Sequence, residues 1–155
     1  IPLTQGKFAL VDDEDYKELL RYKWTLMTRK KTLGYVIHEY ARHGKILMHR
    51  QLLNAPRYKE VDHIDGNGLN NKKINLRLAT RIENGSNRKL GRNNTSGFKG
   101  VSWYPPRGAH KYGWRAEVMK NYKYVYRKFF KTKEEAAKAY NIAAKKFHGE
   151  FARLN

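Results

Sequence analysis

Residues 61–87 read VDHIDGNGLNNKKINLRLATRIENGSN, and this stretch decides the local fold. Val61–Ile64 predicts one strand and Ile74–Leu78 its return strand, because the DGNG sequence at 65–68 is rich in residues that tolerate a positive φ. The TRIE sequence at 80–83 has the pattern of a capping box, so we expect a helix to begin there. The stretch therefore predicts a β-hairpin followed by a helix.

An acid–histidine pair, Asp62-His63, lies in this hairpin, and Asn75 and Asn84 follow it. The ordinary pKa of histidine, about 6.5, leaves His63 mostly neutral near pH 7 and able to accept a proton. Asp62 and Asn84 offer oxygen ligands of the kind that Mg²⁺ prefers. Neighbouring side chains of a strand point to opposite faces, so whether Asp62 and His63 serve one site stays open. The set indicates metal-assisted hydrolysis of a phosphodiester.

The sequences DHIDGN, NLR and ATRIEN resemble the HNH family of homing-type endonucleases. The resemblance implies a ββα-metal (His-Me finger) nuclease domain, with its core at about residues 59–88. It implies that His63 is the general base, that Asp62 and Asn84 bind the metal, and that Asn75 orients His63 and ties down the loop. A purely structural role for Asn75, as a loop clamp, is the alternative. Asparagine at position 84 favours a single Mg²⁺ or Mn²⁺ over zinc.

The other polar residues near the motif have structural interpretations. Asp65, Asn67, Asn70 and Asn71 are interpreted as turn residues, and Asn71 is the one best suited to assist the site. His49 lies on the apolar side of a helix predicted over Lys45–Leu53, which favours a core histidine over a partner of the site. Nearer the N-terminus the pattern predicts strands over Leu3–Val11, Trp24–Met27 and Tyr35–Tyr40 and a short helix after Asp12.

The composition limits the function classes. The 155 residues include no cysteine, which excludes a disulfide partner and a cysteine-ligated zinc. The net charge of +19 favours nucleic acid over an anionic membrane as partner. No apolar run approaches the roughly 20 residues that a membrane span needs. The expected compartment is therefore reducing and contains nucleic acid, such as the cytoplasm of a bacterial host if a phage or mobile element encodes the chain.

The C-terminal part predicts a second domain. Residues 92–155 carry a net charge of +11 against +8 for residues 1–91, and the polar KLGRNNTS segment at 89–96 is the best linker candidate. Strands are expected around Lys99–Tyr104, Tyr112–Met119 and Lys123–Phe130, and a capping box at 132–135 opens a helix that Gly149 ends. The fold class is α+β: a nuclease domain over 1–91, and a three-stranded antiparallel sheet with one packed helix over 92–155.

The sequences SGFKGVSW, WRAEV, AAKAY and GEFARLN resemble the Apetala-two type DNA-binding domain of plant ethylene-response factors. The resemblance implies that the sheet enters the major groove of double-stranded DNA. The candidate contacts on its strands are Lys99, Ser102, Trp103, Tyr104, Arg115, Glu117, Lys123, Tyr124, Tyr126 and Arg127. Trp103 and Tyr104 are equally suited to packing. Ser102, Tyr104, Met119 and Tyr124 replace arginines of the plant domains, so the plant recognition sequence does not carry over.

Together these features predict a sequence-directed, divalent-metal-dependent DNA endonuclease of the homing type. One HNH site cuts one strand per event, so a monomer should nick and a homodimer could cut both strands. One rival is a DNA-binding regulator whose nuclease half is inactive. Another is an RNA-binding or RNA-cleaving protein, which only the charge and the 11 tyrosines support.

Overall fold

The computed structural model describes residues 1–4, 6–29, 32–40, 44–106, 108 and 113–155. They form two compact units, Ile1–Arg81 and Ile82–Asn155, each with a hydrophobic core of its own. The division lies before the predicted domain boundary at 91/92, and the assignment of a function to each domain stays a prediction. In the part of the chain that the structure describes, no helix is long and apolar enough to cross a membrane.

The first unit is built on a three-stranded antiparallel sheet in the order β1-β2-β3, with short helices before and after it. Its elements are α1 (Asp13–Leu19), β1 (Thr25–Arg29), β2 (Thr32–Tyr40), β3 (Gly44–Leu47) and α2 (Met48–Leu52). Trp24, 1% exposed, is the largest side chain of the core, and its indole Nε1 donates a 2.7 Å hydrogen bond to the carbonyl of Leu19. The apolar N-terminal residues Ile1 and Leu3 join this core.

Two predictions for the first unit are wrong in part. The Leu3–Val11 segment is not a continuous strand, because Gly6 adopts a φ of 65° and the chain turns back there, leaving only isolated bridges. The helix predicted over Lys45–Leu53 is confined to α2, because the residues before Met48 pair with β2 as strand β3. Pairing along the edge of an existing strand outweighs the local helical pattern at this point.

The motif hairpin is present, with its first strand one residue earlier than predicted and its second strand beginning two residues later. Its elements are β4 (Glu60–His63), a 3-10 turn (Lys73–Asn75), β5 (Leu76–Ala79) and helix α3 (Arg81–Ser86). The two strands are antiparallel, in a register that sets Asp62 opposite Arg77 and His63 opposite Leu76. The chain thus has the predicted order of strand, strand and helix, while the ββα-metal arrangement itself stays a prediction.

The second unit is a three-stranded antiparallel sheet with one helix packed on it, as predicted. Its elements are β6 (Val101–Trp103), β7 (Trp114–Lys120), β8 (Lys123–Phe130) and α4 (Lys133–His148). Thr132 and Glu135 form the reciprocal hydrogen bonds of the predicted capping box, and Gly149, with a φ of 57°, ends the helix. Buried alanines of α4 let the helix lie close on the sheet: Ala136, Ala137, Ala143 and Ala144. Tyr112, where the second strand was expected to begin, lies outside the described residues.

Candidate active site

His63 ends strand β4 and is buried, with 5% of its surface exposed. Its Nε2 lies 3.4 Å from Oδ1 of Asn71, which is itself fully buried. The Asn71 amide nitrogen donates to the carbonyl of Gly68 at 3.3 Å, so the amide oxygen is the atom that faces the imidazole. An acceptor at Nε2 favours the tautomer that carries its proton on that nitrogen, and in this tautomer Nδ1 is the basic nitrogen of the ring.

The surroundings of His63 also favour the neutral imidazole. Burial lowers the pKa of His63 below its usual value, and it outweighs the hydrogen bond with Asn71 and the charges of Asp65 and Asp62, which raise the pKa. A neutral imidazole is the form that can take a proton from water. The sequence identified Asn71 only as the loop residue best suited to assist the site, and the structure places it in contact with His63.

Asn75 fastens the loop that joins the two strands. Its Oδ1 accepts from the backbone N of Asp65 at 3.1 Å, and its Nδ2 donates to Asp65 Oδ1 at 3.1 Å and to the carbonyl of Asn70 at 2.8 Å. Asp65 in turn accepts from the backbone N of Asn67 at 2.7 Å. These are the contacts of a loop clamp, and a further role of Asn75 in orienting His63 stays a prediction.

Asp62 faces the return strand, where it is paired with Arg77. The guanidinium of Arg77 donates from Nε at 2.9 Å and from Nη2 at 2.7 Å to the same oxygen, Asp62 Oδ2. The two side chains are 5% and 12% exposed, so the ion pair is well shielded from water. The pairing fixes the position of the carboxylate that the sequence predicts as a metal ligand.

Comparison with known proteins shows which family the hairpin and the chain as a whole resemble. A family model for HNH endonucleases matches residues 54–86. An uncharacterised HNH endonuclease of Acanthamoeba polyphaga mimivirus is 34% identical over 157 residues, which cover 97% of this chain and 76% of that protein. The chain belongs to the HNH endonuclease family. Protein 3.8 of Escherichia phage T7 is 40% identical over 99 residues, or 64% of this chain and 78% of that protein. No solved structure matches the chain.

Membership of the HNH endonuclease family supports a nuclease that acts on DNA and uses a divalent metal ion. The matched region ends at residue 86, so the Apetala-two resemblance of residues 96–155 stays a prediction. The same holds for the homing type, for the identity of the metal and for the roles of the individual site residues.

The donors that the HNH resemblance names fit a magnesium-like ion. Asp62 is a buried carboxylate, and Asn84 is a half-buried amide in α3, within the second compact unit. Among the described residues, no three histidine, cysteine, aspartate or glutamate side chains cluster as metal ligands. Mg²⁺ is commonly bound by one or two carboxylates together with water and substrate phosphates, so a small protein donor set suits it. The role of Asn84 as a ligand stays a prediction.

The predicted DNA contacts of the second unit include a linked group on the sheet. Glu117 pairs with two arginines: its Oε2 lies 2.9 Å from Arg115 Nη2 and its Oε1 lies 2.6 Å from Arg127 Nε. Each guanidinium also covers a tyrosine ring, Arg115 at 4.8 Å from Tyr104 and Arg127 at 4.0 Å from Tyr124. Register places Ser102 opposite Arg115 and Arg127 opposite Glu117. These six predicted contacts therefore share neighbouring positions on the sheet.

The other predicted contacts have different surroundings. The ammonium of Lys99 donates to the carbonyls of Ser86 and Arg88, and burial lowers its pKa to about 8. Tyr126 packs against the core that α4 covers, so it does not lie with the arginines. Trp103 is 53% exposed and packs edge-on against Trp114, with the ring centroids 5.2 Å apart. Lys123 is exposed at the start of β8.

Sequence reasoning missed the role of the His49-Arg50 pair in the first unit. Arg50 donates to the carbonyls of Lys59 at 2.7 Å, Pro56 at 2.8 Å and Ala55 at 3.0 Å, which ties α2 to the segment leading into β4. The ring of His49 lies 5.0 Å from that of His63. The sequence favoured a core histidine over a partner of the site for His49, which is indeed buried, but it gave no signal for the anchoring role of Arg50.

Proposed function

We propose that this HNH protein is a homing-type DNA endonuclease that hydrolyses one phosphodiester per site and therefore nicks one strand per event. The observation that carries the proposal is the buried, neutral imidazole of His63, held at Nε2 by Asn71 and followed along the hairpin by the clamped loop. The resemblance of the DHIDGN and ATRIEN sequences to homing-type members supports the finer assignment.

In the proposed reaction His63 takes a proton from water at Nδ1, and the resulting hydroxide attacks the phosphorus while the bond from the phosphorus to the leaving oxygen breaks. The leaving oxygen takes a proton from solvent water, and His63 later returns its proton to solvent. The imidazolium that forms is stabilised by the Asn71 oxygen at Nε2 and by the nearby negative charges of Asp62 and Asp65, all of which raise the pKa of His63. A bound Mg²⁺ or Mn²⁺ would supply a Lewis acid for the charge of the leaving oxygen, and the HNH resemblance implies Asp62 and Asn84 as its protein ligands. Asn75 keeps the loop beside His63 in one conformation.

The first experiment is conversion of supercoiled plasmid DNA by the wild type and by His63→Ala, in Mg²⁺ and in EDTA. The plasmid pool should carry genomic fragments, because the target site of a homing enzyme is unknown. His38→Ala is the matched control, because His38 is a second buried histidine of the same unit, packed on Tyr22 and Trp24. We expect metal-dependent nicked circles from the wild type and the control, and none from His63→Ala.

Other products would change the proposal. Linear DNA at early times would indicate a homodimer or paired nicks in place of a monomer that nicks. Tight duplex binding without cleavage of the pool in Mg²⁺, or in Mn²⁺ in its place, would favour the regulator with an inactive nuclease half. Cleavage by His63→Ala at the wild-type rate would show that His63 is not the base. Preferential cleavage of structured RNA would favour the RNA-directed rival.

We further propose that the second unit is an Apetala-two type domain that binds duplex DNA through the Arg115, Glu117 and Arg127 group. The carboxylate of Glu117 holds both guanidinium groups in fixed positions, with a tyrosine ring behind each. Guanidinium groups fixed in this way lose little conformational freedom when they bind guanine edges. The net charge of +11 over residues 92–155 supplies the attraction to phosphates.

Binding measured against salt concentration tests this second proposal. Neutralising about eight phosphates should give a log–log slope of roughly −7, and a slope near −2 would contradict an extended footprint. Arg127→Ala should relax the preference at one base position, because an arginine that reads a base edge confers specificity as well as affinity. Lys138→Ala, on the exposed side of α4, is the matched loss of one charge and should leave the preference unchanged.

A further inference from the structure

His49 is a buried histidine that the proposed reaction does not use. It lies in the first turn of α2, 4% exposed, and within the described part of the chain its Nδ1 has no hydrogen-bond partner. Buried polar atoms are almost always hydrogen-bonded, so an unpartnered nitrogen here calls for an explanation. Because this nitrogen makes no hydrogen bond, the role of the residue lies in the shape and position of its ring.

The ring of His49 packs edge-on against the ring of His63. Their centroids are 5.0 Å apart and their planes meet at 84°. Tyr35 completes the group, with its ring 5.1 Å from His49 and 6.0 Å from His63. Flat rings at these separations favour edge-to-face contact, which restricts how far either ring can rotate. The neighbouring rings of His49 and Tyr35 therefore help to define the plane of the His63 imidazole.

The support for His49 is itself rigid. The next residue, Arg50, hydrogen-bonds three carbonyls of the segment that leads into β4, so α2 and the strand that carries His63 are tied together. Desolvation by burial lowers the pKa of His49 to about 3, so the ring is neutral and adds no positive charge beside His63. A neutral, anchored ring can position the base without competing for its proton.

We propose that His49 is a positioning residue that, with Tyr35, fixes the plane of the His63 imidazole so that its Nδ1 is presented to the water. The inference rests on the proposed role of His63 as the base. It also makes a specific claim about chemistry: the ring shape of His49 matters and its nitrogens do not. Phenylalanine should therefore replace His49 in function, whereas leucine, which fills a similar volume without a flat ring, should not.

The test compares His49→Phe and His49→Leu in the full chain by cleavage kinetics and by side-chain ¹⁵N NMR of His63. We expect His49→Leu to lower kcat about tenfold with KM unchanged, since small misplacements of a reacting group are costly. We expect its His63 nitrogen signals to shift or broaden, and His49→Phe to keep kcat and spectrum close to the wild type. The His63 signals are identified by their loss in His63→Ala.

His38→Leu is the matched control. His38 is 3% exposed and packs on Tyr22 at 4.5 Å and on Trp24 at 4.7 Å, so its loss disturbs a similar ring cluster of the same unit. We expect no change in kcat or in the His63 spectrum. The inference is overturned if His49→Leu leaves both readouts unchanged, if His38→Leu changes both equally, or if His49→Phe loses activity like His49→Leu. A wild type that cleaves no DNA would refute the nuclease proposal alone, because the NMR comparison still tests the positioning of His63.

Discussion

Replacing Arg77 by methionine should destabilise the first unit strongly. The substitution removes the two-point hydrogen bond to Asp62 Oδ2 and leaves a carboxylate that is 5% exposed without that cation. Breaking a buried ion pair by removing one partner costs about 3–5 kcal/mol, and we take the lower end because Arg77 keeps 12% of its side chain exposed. A loss of about 3 kcal/mol is a large part of the 5 kcal/mol or so that a small unit has.

The assay is urea unfolding in EDTA, followed through the indole N–H signal of Trp24. This proton is bonded to the carbonyl of Leu19 inside the first core, so it reports that unit alone. With a slope of about 1.5 kcal/mol/M, the midpoint should fall by about 2 M urea. Arg77→Lys keeps the charge but lacks the planar fork, and it should lie between the wild type and Arg77→Met.

Lys72→Met is the control for charge. Lys72 is exposed in the same hairpin, and its loss relieves the same share of the self-repulsion of a chain with a net charge of +19. Subtracting the effect of Lys72→Met on the free energy of unfolding from that of Arg77→Met leaves the contribution of the buried ion pair. An unfolding free energy of Arg77→Met within about 0.5 kcal/mol of that of Lys72→Met would refute the argument, because that is the size of an ordinary surface substitution.

Three further outcomes are expected. Gly68→Ala should destabilise the first unit by about 1–3 kcal/mol, because a Cβ there would overlap a backbone carbonyl of β2, whereas Gly91→Ala, in open space, should change stability by less than about 0.5 kcal/mol in urea unfolding. Thr132→Ala should cost about 1 kcal/mol, because α4 loses its capping bond to Glu135; amide exchange of α4 measures it. The lowered pKa of His49 makes the unfolded chain bind the extra proton, so stability falls as pH drops from about 6.5 towards 3; His49→Phe should reduce that slope by up to about 1.4 kcal/mol per pH unit in unfolding measured across this range.

The elements that the sequence predicted well are those with local signals. The hairpin follows from a turn sequence between two apolar segments, and α4 follows from the capping box at Thr132 and the stop at Gly149. Both signals operate over a few residues, so no knowledge of the remaining fold is needed to interpret them. The prediction of a strand over Leu3–Val11 was wrong because one glycine within it, Gly6, adopts a positive φ and redirects the chain.

The neighbours of His63 could not be predicted in the same way. Tyr35 and His49 are 28 and 14 positions before it in the chain, and only the pairing of β2 and the anchoring of α2 bring their rings together. Lys99 shows the same limit. A lysine just before a strand resembles a DNA contact, and its position along the chain does not indicate that its ammonium bonds the carbonyls of Ser86 and Arg88. Its role as a DNA contact stays a prediction. Side-chain direction at such positions is decided by tertiary contacts that a single sequence does not reveal.

Asp62 and His63 are adjacent in the chain, but their side chains have different partners. The carboxylate is paired with Arg77 across the hairpin, while the imidazole is bonded to Asn71 and packed on His49. A bare aspartate beside His63 would raise the pKa of the imidazole further and so reduce the share of His63 that is neutral, and able to accept a proton, before the reaction begins. The Arg77 cation offsets that charge at its source, and burial keeps the imidazole neutral. Strand alternation, which from sequence left open whether the two residues could serve one site, gives each of them an environment suited to a different task.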